Sequence, residues 1–358
     1  MKIGIYGGSF DPIHKGHIEV AKYVINELNL DKLLIVPTYV SPFKKKGISV
    51  EDKINMINLV LEDKMELCLF EAKRNNVSYT IETVKYLKRQ YPNDELFLVI
   101  GSDNLPKLHK WKDIDEIAQL TQMVSIRRSK NINKVNAKKY NVKLLKNDLF
   151  DYSSTDFKKG FLDAVDPKVM NYIQSKGLYL ETIVHNSLSA LRAKHSVACA
   201  QFAAELAKKH NYPAKTAYIT GLIHDIAKEW SEEASYEFLA EYAPELKNTP
   251  KHFLHQHCGS LWAKHGYKIN NQEILDALAC HTSMRMEMSK LDKILFIADK
   301  ICEGRKFPGI QKVRELCFND LDKGFAKVVK VTYDWNVNDK KVVFDETSLK
   351  IYNKYMEK

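Results

Sequence analysis

The sequence predicts an α/β domain with a doubly wound parallel sheet, followed by an all-α domain. Its 358 residues exceed what one ordinary hydrophobic core accommodates. In the first half, short apolar runs such as KIGIY, KLLIVP and ELFLVIG alternate with amphipathic segments, which is the pattern of buried parallel strands covered by helices on both faces. Beyond Gly177 the apolar residues recur at helical spacing instead.

The elements of the first half alternate between strand and helix. Apolar runs predict strands at residues 2–6, 32–37, 66–70, 95–101, 122–126 and 142–146. Amphipathic segments predict helices at residues 17–30, 50–63, 79–91, 113–120, 154–164 and 166–177, with Ser49 as the N-cap of the second helix. Because such sheets bind ligands at the carboxyl ends of their strands, we expect a site there.

The second half is predicted to be helical throughout. Its amphipathic or apolar helices lie at residues 185–210, 214–230, 232–243, 253–266, 271–281 and 291–304. The segment KKVVF near the end is a weak candidate for a strand. We place the boundary near residues 178–186, which gives domains at 1–180 and 185–358.

Composition restricts the class of protein. Hydrophobic residues make up 45% and charged residues 28% of the chain, as in a globular protein in water. No apolar run approaches the ~20 residues that span a bilayer, and the N-terminus lacks a secretory signal. The six cysteines are scattered singly, as expected for reduced thiols. We therefore expect a cytoplasmic protein without a membrane partner, and its oligomeric state stays open.

The net charge of +10 favours phosphate-bearing partners. Between Arg127 and Asn147 there are eight basic residues and no acidic one. Small nucleotides and nucleic acid are both anionic, so either could bind to a region of such positive charge. Because no nucleic-acid-binding module and no aromatic-plus-basic stacking pattern accompanies it, we expect no nucleic-acid partner.

The segment GGSFDPIHKGH, residues 7–17, joins the first strand to the first helix. Two glycines let the backbone pass close to a ligand because no Cβ obstructs it. The free N–H groups of the helix that begins near Lys15 form an anion site. His14 and His17 fall on one face of that helix start and can donate hydrogen bonds to phosphate oxygens. Neither a Walker lysine motif nor GxGxxG follows the strand, so P-loop and ordinary dinucleotide-fold sites fit poorly.

The string GGSFDPIHKGH resembles the HxGH motif of a nucleotidyltransferase superfamily, and within it the bacterial nicotinate-nucleotide adenylyltransferases. The segments SPFKKK, SYTIETVKYL, IGSDNLPKLHKWKDI and YSSTDFKKG resemble further parts of that family, so the resemblance extends to about Tyr179. It implies a Rossmann-like fold and transfer of AMP from ATP, with Mg²⁺ on the polyphosphate, to nicotinate mononucleotide. The products would be nicotinate adenine dinucleotide and pyrophosphate.

The resemblance also implies roles for individual residues. His14 and His17 would be catalytic, holding the ATP phosphates and stabilising charge on the reacting phosphorus, while Thr80 and Trp111 would flank the pyridine ring. The other implied nucleotide-binding residues are Gly7, Gly8, Ser9, Phe10, Lys44, Asp103, Ser153, Ser154, Thr155 and Lys158.

Two residues depart from the family pattern. Phe43 stands where the Pro-His-Lys loop of the family has histidine, and Lys158 stands where its SSTxIR loop has arginine. Lysine keeps the positive charge but loses the bidentate fork of arginine. We therefore expect weaker or differently tuned ATP binding.

A set of histidines and aspartates lies within or at the ends of the apolar helices of the second half. Its members are His195, His224, Asp225, His255, His281 and Asp299. An unpaired polar group is costly in apolar surroundings, and a shared metal would satisfy all of them. Nitrogen and oxygen ligands without thiolate suit iron, manganese or magnesium better than structural zinc. A dinuclear centre bridged by Asp225 could activate water and hold a phosphate. His257 is the alternative to His255.

The strings TGLIHDIAKEW, HQHCGSLWAK and LDKILFIADKICEGR resemble HD-domain phosphohydrolases. Within that group they resemble the bacterial symmetrical diadenosine tetraphosphate hydrolases, over roughly residues 185–358. The resemblance implies a di-iron-type centre, with manganese as the alternative metal, and a catalytic Asp225. The substrate, diadenosine tetraphosphate, would be split into two ADP. Lys228 and Arg305 are candidates for holding phosphate.

The leading hypothesis is a bifunctional enzyme, and two rivals stay open. In one, the helical domain cleaves another nucleotide. In the other, it is a regulatory binding module, although a sensor need not keep all six candidate ligands. The residues alone do not decide between the acid and amide forms of the pyridine substrate, or between metals.

Overall fold

The computed structural model describes residues 1–39, 47–74, 76–77, 79–129 and 132–356. These residues form two compact units, Met1–Ile173 and Gln174–Lys358. The first is α/β and the second is helical, which confirms the predicted fold class. A helix runs over Leu180–Ser187, where the sequence predicts the domain boundary.

The first unit is built on a six-stranded parallel sheet with the order β3-β2-β1-β4-β5-β6. The strands are β1 (Lys2–Gly8), β2 (Lys32–Pro37), β3 (Met65–Leu67), β4 (Glu95–Gly101), β5 (Gln122–Ile126) and β6 (Lys143–Leu144). Tyr6 on β1 stands opposite Ile35 on β2 and Val99 on β4. The strand order therefore reverses between β1 and β4, where sheets of this kind open a crevice for ligands.

Helices cover this sheet. They are α1 (Lys15–Glu27), α2 (Val50–Asn58), α3 (Phe70–Lys73), α4 (Thr80–Gln90), α5 (Ile114–Leu120), α6 (Val135–Lys139) and α7 (Ser154–Lys158), followed by α8 (Pro167–Lys176). α1 buries Ala21, Val24 and Ile25, which lie on the apolar face predicted from their spacing, and also buries Val20. The predicted N-cap of α2 is confirmed, because Oγ of Ser49 accepts the backbone N–H of Asp52 at 3.0 Å.

Three elements differ from the prediction. The helix expected at 154–164 ends at Lys158, because Gly160 adopts a φ of 101° and a separate 3₁₀ turn follows at Leu162–Ala164. β6 is shorter than expected. A 3₁₀ helix at Ser102–Lys110, which was not predicted, follows β4 directly. It places Asp103 at the ligand crevice.

The second unit consists of helices around a buried central one. They are α9 (Leu180–Ser187), α10 (Ala190–Lys209), α11 (Ala214–Ile223), α12 (Glu232–Tyr242), α13 (Leu254–Leu261), α14 (Gln272–Cys280), α15 (Lys290–Ile301), α16 (Ile310–Asn319), α17 (Leu321–Asn338) and α18 (Glu346–Met356). α15 is the central helix and packs against α10, α11, α14 and α17. Gly221 lets α11 approach α10 closely, since a Cβ there would lie 2.8 Å from Cα of Ala200.

The weak strand candidate KKVVF forms no strand in the described chain, in agreement with an all-helical unit. One expectation for this unit was wrong. The helix predicted over 214–230 ends at Ile223, so His224 and Asp225 lie just beyond its end. Among the described residues, no helix has both the length and the apolar character needed to cross a bilayer.

Candidate active sites

A cavity of ≈ 750 Å³ opens in the first unit at the carboxyl ends of β1, β4 and β5. It brings together most of the nucleotide-site residues predicted from the sequence, namely Gly7, Gly8, Ser9, Phe10, His14, His17, Thr80, Asp103, Trp111, Ser153, Ser154 and Thr155. Lys44 lies outside the described residues. Lys158 is not among the described residues that line the cavity.

The two glycines at the end of β1 differ in what a side chain at each position would contact. A Cβ on Gly7 would meet no atom within 4 Å, so the space beside it is open to a ligand. A Cβ on Gly8 would lie 3.0 Å from the ring of Phe10, which packs back over the strand end. Gly7 therefore leaves room for a ligand, and Gly8 leaves room for the turn that leads to His14.

His14 and His17 form one unit at the start of α1. Their rings stack with centroids 3.6 Å apart, and the backbone N–H of His14 donates to Nδ1 of His17 at 3.2 Å. Because Nδ1 of His17 accepts, a neutral His17 carries its proton on Nε2. Burial, reinforced by the positive charge of Arg128, lowers the pKa of His14 to about 3. The neutral imidazole of His14 is therefore the form present near pH 7.

Arg127 and Arg128 also line this cavity, although neither was predicted as a site residue. The backbone N–H of Arg128 donates to Oγ of Ser102 at 2.9 Å, and its guanidinium lies 3.6 Å from Asp103. The signal that could have found them is their position, because they directly follow β5 at the carboxyl edge of the sheet. They add positive charge where the two histidines meet the cavity.

Trp111 and Thr80 line the cavity together with Tyr79 and Lys112. Nζ of Lys112 lies 4.9 Å from the centroid of the Tyr79 ring, in a cation–π contact. This part of the cavity thus offers aromatic surface beside a positive charge, which suits a flat anionic ring.

The Lys158 ammonium forms an ion pair with Asp11. Its Nζ donates to Oδ2 of Asp11 at 2.7 Å, with side-chain exposures of 27% and 12%. Both residues stand beside loops that line the cavity, since Asp11 precedes His14 and Lys158 follows Thr155. The contact joins the turn after β1 to the helix α7.

In the second unit, the candidate ligands form two groups that share Asp225. One group contains His195, His224 and Asp225, and the other contains Asp225, His255 and His281. Within each group the ligand atoms lie within 4.8 Å of one another. Asp299 completes the first group, because its Oδ1 lies 3.0 Å from Nε2 of His195.

The histidine tautomers fit metal coordination. Nδ1 of His224 lies 2.7 Å from the carbonyl of Gly221, and Nδ1 of His281 lies 2.8 Å from that of Leu278. A carbonyl can only accept, so each Nδ1 carries the proton and each Nε2 presents a lone pair. Nε2 of His224 is buried and has no hydrogen-bond partner among the described residues. A metal ion would satisfy that atom, so the residues present fit such a group.

The carboxylates of the cluster are held in their charged form. Burial raises the pKa of Asp225, but the neighbouring His224 and His281 outweigh it and hold that pKa below its ordinary value. Burial likewise raises the pKa of Asp299, yet Lys300, His195 and His224 hold it well below the usual range. Charged carboxylates of this kind can bind a cation without first losing a proton.

Of the two alternatives at residues 255 and 257, the structure brings His255 to the cluster. Its Nε2 lies 3.2 Å from Nε2 of His281 and 3.7 Å from Oδ1 of Asp225. His257 lies beside Gln256 instead, at 3.3 Å. Both histidines lie on α13, and residues two positions apart point to different sides of a helix, so His255 and His257 cannot both face the cluster.

Four cations surround the cluster. Arg192 lies 2.9 Å from Asp225, and Lys228 lies 2.9 Å from Nε2 of His255. Lys300 pairs with Asp299, and Arg305 lies 3.2 Å from both Asp299 and His195. Arg192 and Lys300 were missed from the sequence, although Arg192 stands one helical turn before His195 and Lys300 is adjacent to Asp299.

Comparison with known families agrees with this division. Residues 5–160 match the cytidylyltransferase-like family, and residues 192–303 match the HD domain. The first match covers the crevice after β1. The second contains all six candidate metal ligands.

Two relatives are similar over most of the chain. A protein of Mycoplasma pneumoniae named probable nicotinate-nucleotide adenylyltransferase/Ap4A hydrolase is 33% identical over 83% of this chain and 87% of its own. The chain belongs to this nicotinate-nucleotide adenylyltransferase/Ap4A hydrolase family. A protein of the same name from Mycoplasma genitalium is 32% identical, over 86% of this chain and 89% of its own.

The first unit has separate relatives as well. A probable nicotinate-nucleotide adenylyltransferase of Aquifex aeolicus is 42% identical over 41% of this chain and 92% of its own. The family thus joins two modules, an adenylyltransferase-like one and an HD one, and the resemblances stated for each half of the sequence are confirmed.

Proposed function

We propose that the two units catalyse two reactions on nucleotides. The first would join nicotinate mononucleotide to the AMP part of ATP, releasing pyrophosphate. The second would hydrolyse diadenosine tetraphosphate to two ADP. The observation that supports both is the gathering of predicted residues, at the carboxyl edge of the sheet in one unit and around Asp225 in the other. Reduced thiols in all six cysteines agree with a cytoplasmic setting.

In the first reaction, a phosphate oxygen of nicotinate mononucleotide attacks the α-phosphorus of ATP in line. The new P–O bond forms as the bond to the bridging oxygen of pyrophosphate breaks, and no covalent enzyme intermediate is needed. Catalysis then rests on positioning and on neutralising the charge that develops. His14 and His17 would donate hydrogen bonds to phosphate oxygens at the α1 N-terminus, while Mg²⁺ accompanies ATP.

Arg127 and Arg128 would add charge to this phosphate region, and Ser153, Ser154 and Thr155 would contact the far phosphates. Gly7 would let the nucleotide lie against β1. At the other end, Trp111 would stack on the pyridine ring. The side chain of Lys112 favours the acid form of that ring, because its ammonium attracts the nicotinate carboxylate and gains nothing from a neutral amide.

In the second reaction, His195, His224, His255, His281, Asp225 and Asp299 would hold two metal ions, with Asp225 shared between them. When bound, such a pair of ions supplies a water nucleophile at neutral pH and a clamp for a phosphate group. The donor set of nitrogen and oxygen atoms favours iron, with manganese as the alternative. The Nδ1–H groups of His224 and His281 each donate to a backbone carbonyl, which fixes the direction of both rings.

The four surrounding cations suit a polyphosphate substrate. Arg192, Lys228, Lys300 and Arg305 lie on several sides of the cluster and outnumber its two carboxylates. Burial lowers the pKa of Lys228, a change that a nearby phosphate would reverse. We propose that these side chains hold the phosphate chain on either side of the bond that is cleaved.

Paired kinetics test the first reaction. The full chain is incubated with ATP, Mg²⁺ and either nicotinate or nicotinamide mononucleotide, and formation of dinucleotide is measured. We expect kcat/KM for the acid to exceed that for the amide by about tenfold or more, because a pairing of charges is lost with the amide. Equal values for the two would refute the assignment of the acid.

Incubation with diadenosine tetraphosphate and Fe²⁺ or Mn²⁺ tests the second reaction. The expected product is ADP alone. Release of ATP and AMP in equal amounts would contradict symmetrical cleavage. Absence of any product would contradict the substrate assignment, in which case other nucleotides become the candidates for this unit.

A further inference from the structure

The Asp11 carboxylate lies where three segments of the first unit meet. Asp11 itself belongs to the turn after β1. Its Oδ2 accepts the hydrogen bond from Lys158 at the end of α7. A Cβ on Gly47 would overlap the same oxygen, so the backbone of Gly47 lies close to the carboxylate as well. With a side chain 12% exposed, Asp11 is a buried anchor for all three.

A second contact joins the same two loops. Oγ of Ser154 donates to the backbone carbonyl of Pro12 at 3.0 Å. The turn after β1 leads into His14 and His17, and Ser153 is the N-cap of α7, which begins with Ser154 and Thr155. The turn after β1 and the helix α7, which would both contact the phosphates, are thus linked by two contacts. One is the Asp11–Lys158 ion pair and the other is the hydrogen bond from Ser154 to Pro12.

The Lys158 ammonium is placed differently from what the family resemblance implies. The resemblance would have it bind an ATP phosphate. In the structure the ammonium of Lys158 is paired with Asp11. Lys158 is not among the described residues that line the cavity, whereas residues 153–155, at the start of α7, do line it. A lysine already neutralised by a carboxylate at 2.7 Å has little charge to offer a phosphate, and Arg127 and Arg128 supply that charge inside the cavity.

We propose that Asp11 and Lys158 are positioning residues for adenylyl transfer. Their ion pair fixes the start of α1, with His14 and His17, against the start of α7, with Ser153–Thr155, so that both sets of donors meet one triphosphate at the same time. Neither side chain touches ATP. The inference rests on the proposed adenylyl transfer.

Double-mutant analysis in the full chain tests it. The variants are Asp11→Asn, Lys158→Ala, the double variant and Lys158→Arg, with Lys159→Ala as the matched control because Lys159 is exposed and adjacent. Affinity for a non-hydrolysable ATP analogue is measured by calorimetry, and kcat and KM for ATP are determined separately. Thermal unfolding shows whether each variant is folded.

We expect Asp11→Asn and Lys158→Ala to weaken analogue binding equally, by about tenfold, and to lower kcat as well. The double variant should bind more tightly than the product of the two single effects predicts, because both single variants remove one shared contact. Lys158→Arg keeps a cation that can pair with Asp11, so it should bind within about twofold of wild type, as should Lys159→Ala.

Two outcomes would overturn the inference. If Lys158 binds phosphate, Asp11→Asn releases it and tightens analogue binding while Lys158→Ala weakens it. If the pair only stabilises the fold, the variants unfold at lower temperature but bind the analogue with wild-type affinity. A wild-type protein that binds the analogue but forms no dinucleotide would refute the proposed reaction, and the binding comparison would still decide the role of the pair.

Discussion

His224 and His281 occupy equivalent places on two different helices. Each is the first residue beyond its helix, and each places Nδ1 against the backbone carbonyl three residues earlier. Their rings lie 5.3 Å apart at 89°, in an edge-to-face contact within the same cluster. A histidine at a helix end can reach its own helix's carbonyl, which fixes its tautomer and leaves Nε2 for a metal.

The metal content of an Asp225 variant tests this arrangement. Because Asp225 belongs to both ligand groups, Asp225→Asn should lower bound metal from about two ions per chain to below one. Elemental analysis after purification gives the content directly. Asp339→Asn, at an exposed aspartate, serves as the control and should keep the full content. Unchanged metal in Asp225→Asn would contradict the shared role of this carboxylate.

Substitution of His17 tests the phosphate site. His17→Ala removes a donor that would stabilise the transition state, so kcat for dinucleotide formation should fall by about 10² to 10³. The fold should persist, because His17 is only half-buried. Circular dichroism checks the fold, and His185→Ala, in the other unit, should leave the rate unchanged. A variant with the wild-type rate would refute the role of His17.

The open space at Gly7 predicts a graded effect of side-chain size. Gly7→Ala and Gly7→Val add atoms where the protein has none within 4 Å, so the unfolding temperature should not fall. The added atoms occupy the ligand's space instead, and KM for ATP should rise, by about tenfold or more for valine. Steady-state kinetics and thermal unfolding measure the two effects. A large loss of stability with unchanged KM would be the opposite of this expectation.

The lowered pKa of His14 predicts a dependence of stability on pH. Between about pH 6.5 and 3 the unfolded chain binds a proton at His14 that the folded chain excludes, so this residue costs stability as the pH falls below 6.5. The cost is about 2 kcal/mol at pH 5 relative to pH 7. Hydrogen exchange of β1 and β4 amides gives the opening free energy at both pH values.

His14→Asn is the matched variant for that measurement. Asparagine does not titrate, so its opening free energy should fall less between pH 7 and pH 5 than that of wild type, by the same ~2 kcal/mol. Equal pH dependence in the two proteins would show that His14 takes up its proton in the folded state as easily as in the unfolded state.

Residues within one motif were predictable from sequence because their spacing places them directly. His14 and His17 fall on one helix start whatever the rest of the fold does. The six candidate ligands of the helical unit could be collected because buried histidines and aspartates on apolar helices need a partner. In both cases the chemistry of a short segment determines the result.

Contacts between distant segments were not predictable in the same way. Asp11 and Lys158 are 147 residues apart, and no local pattern pairs them. Arg128 becomes a site residue only because β5 lies beside β4, and the end of α11 at Ile223 interrupts a segment whose apolar spacing continues. Such features depend on which ends of strands and helices meet in the folded chain. A single sequence does not give that information.

We propose that each unit has its own phosphate site, and the most direct test of this proposal measures both activities in wild type, His17→Ala and Asp225→Asn. We predict that His17→Ala loses dinucleotide formation and keeps hydrolysis of diadenosine tetraphosphate, while Asp225→Asn does the reverse. Loss of both activities in either folded variant, or retention of both, would contradict the account.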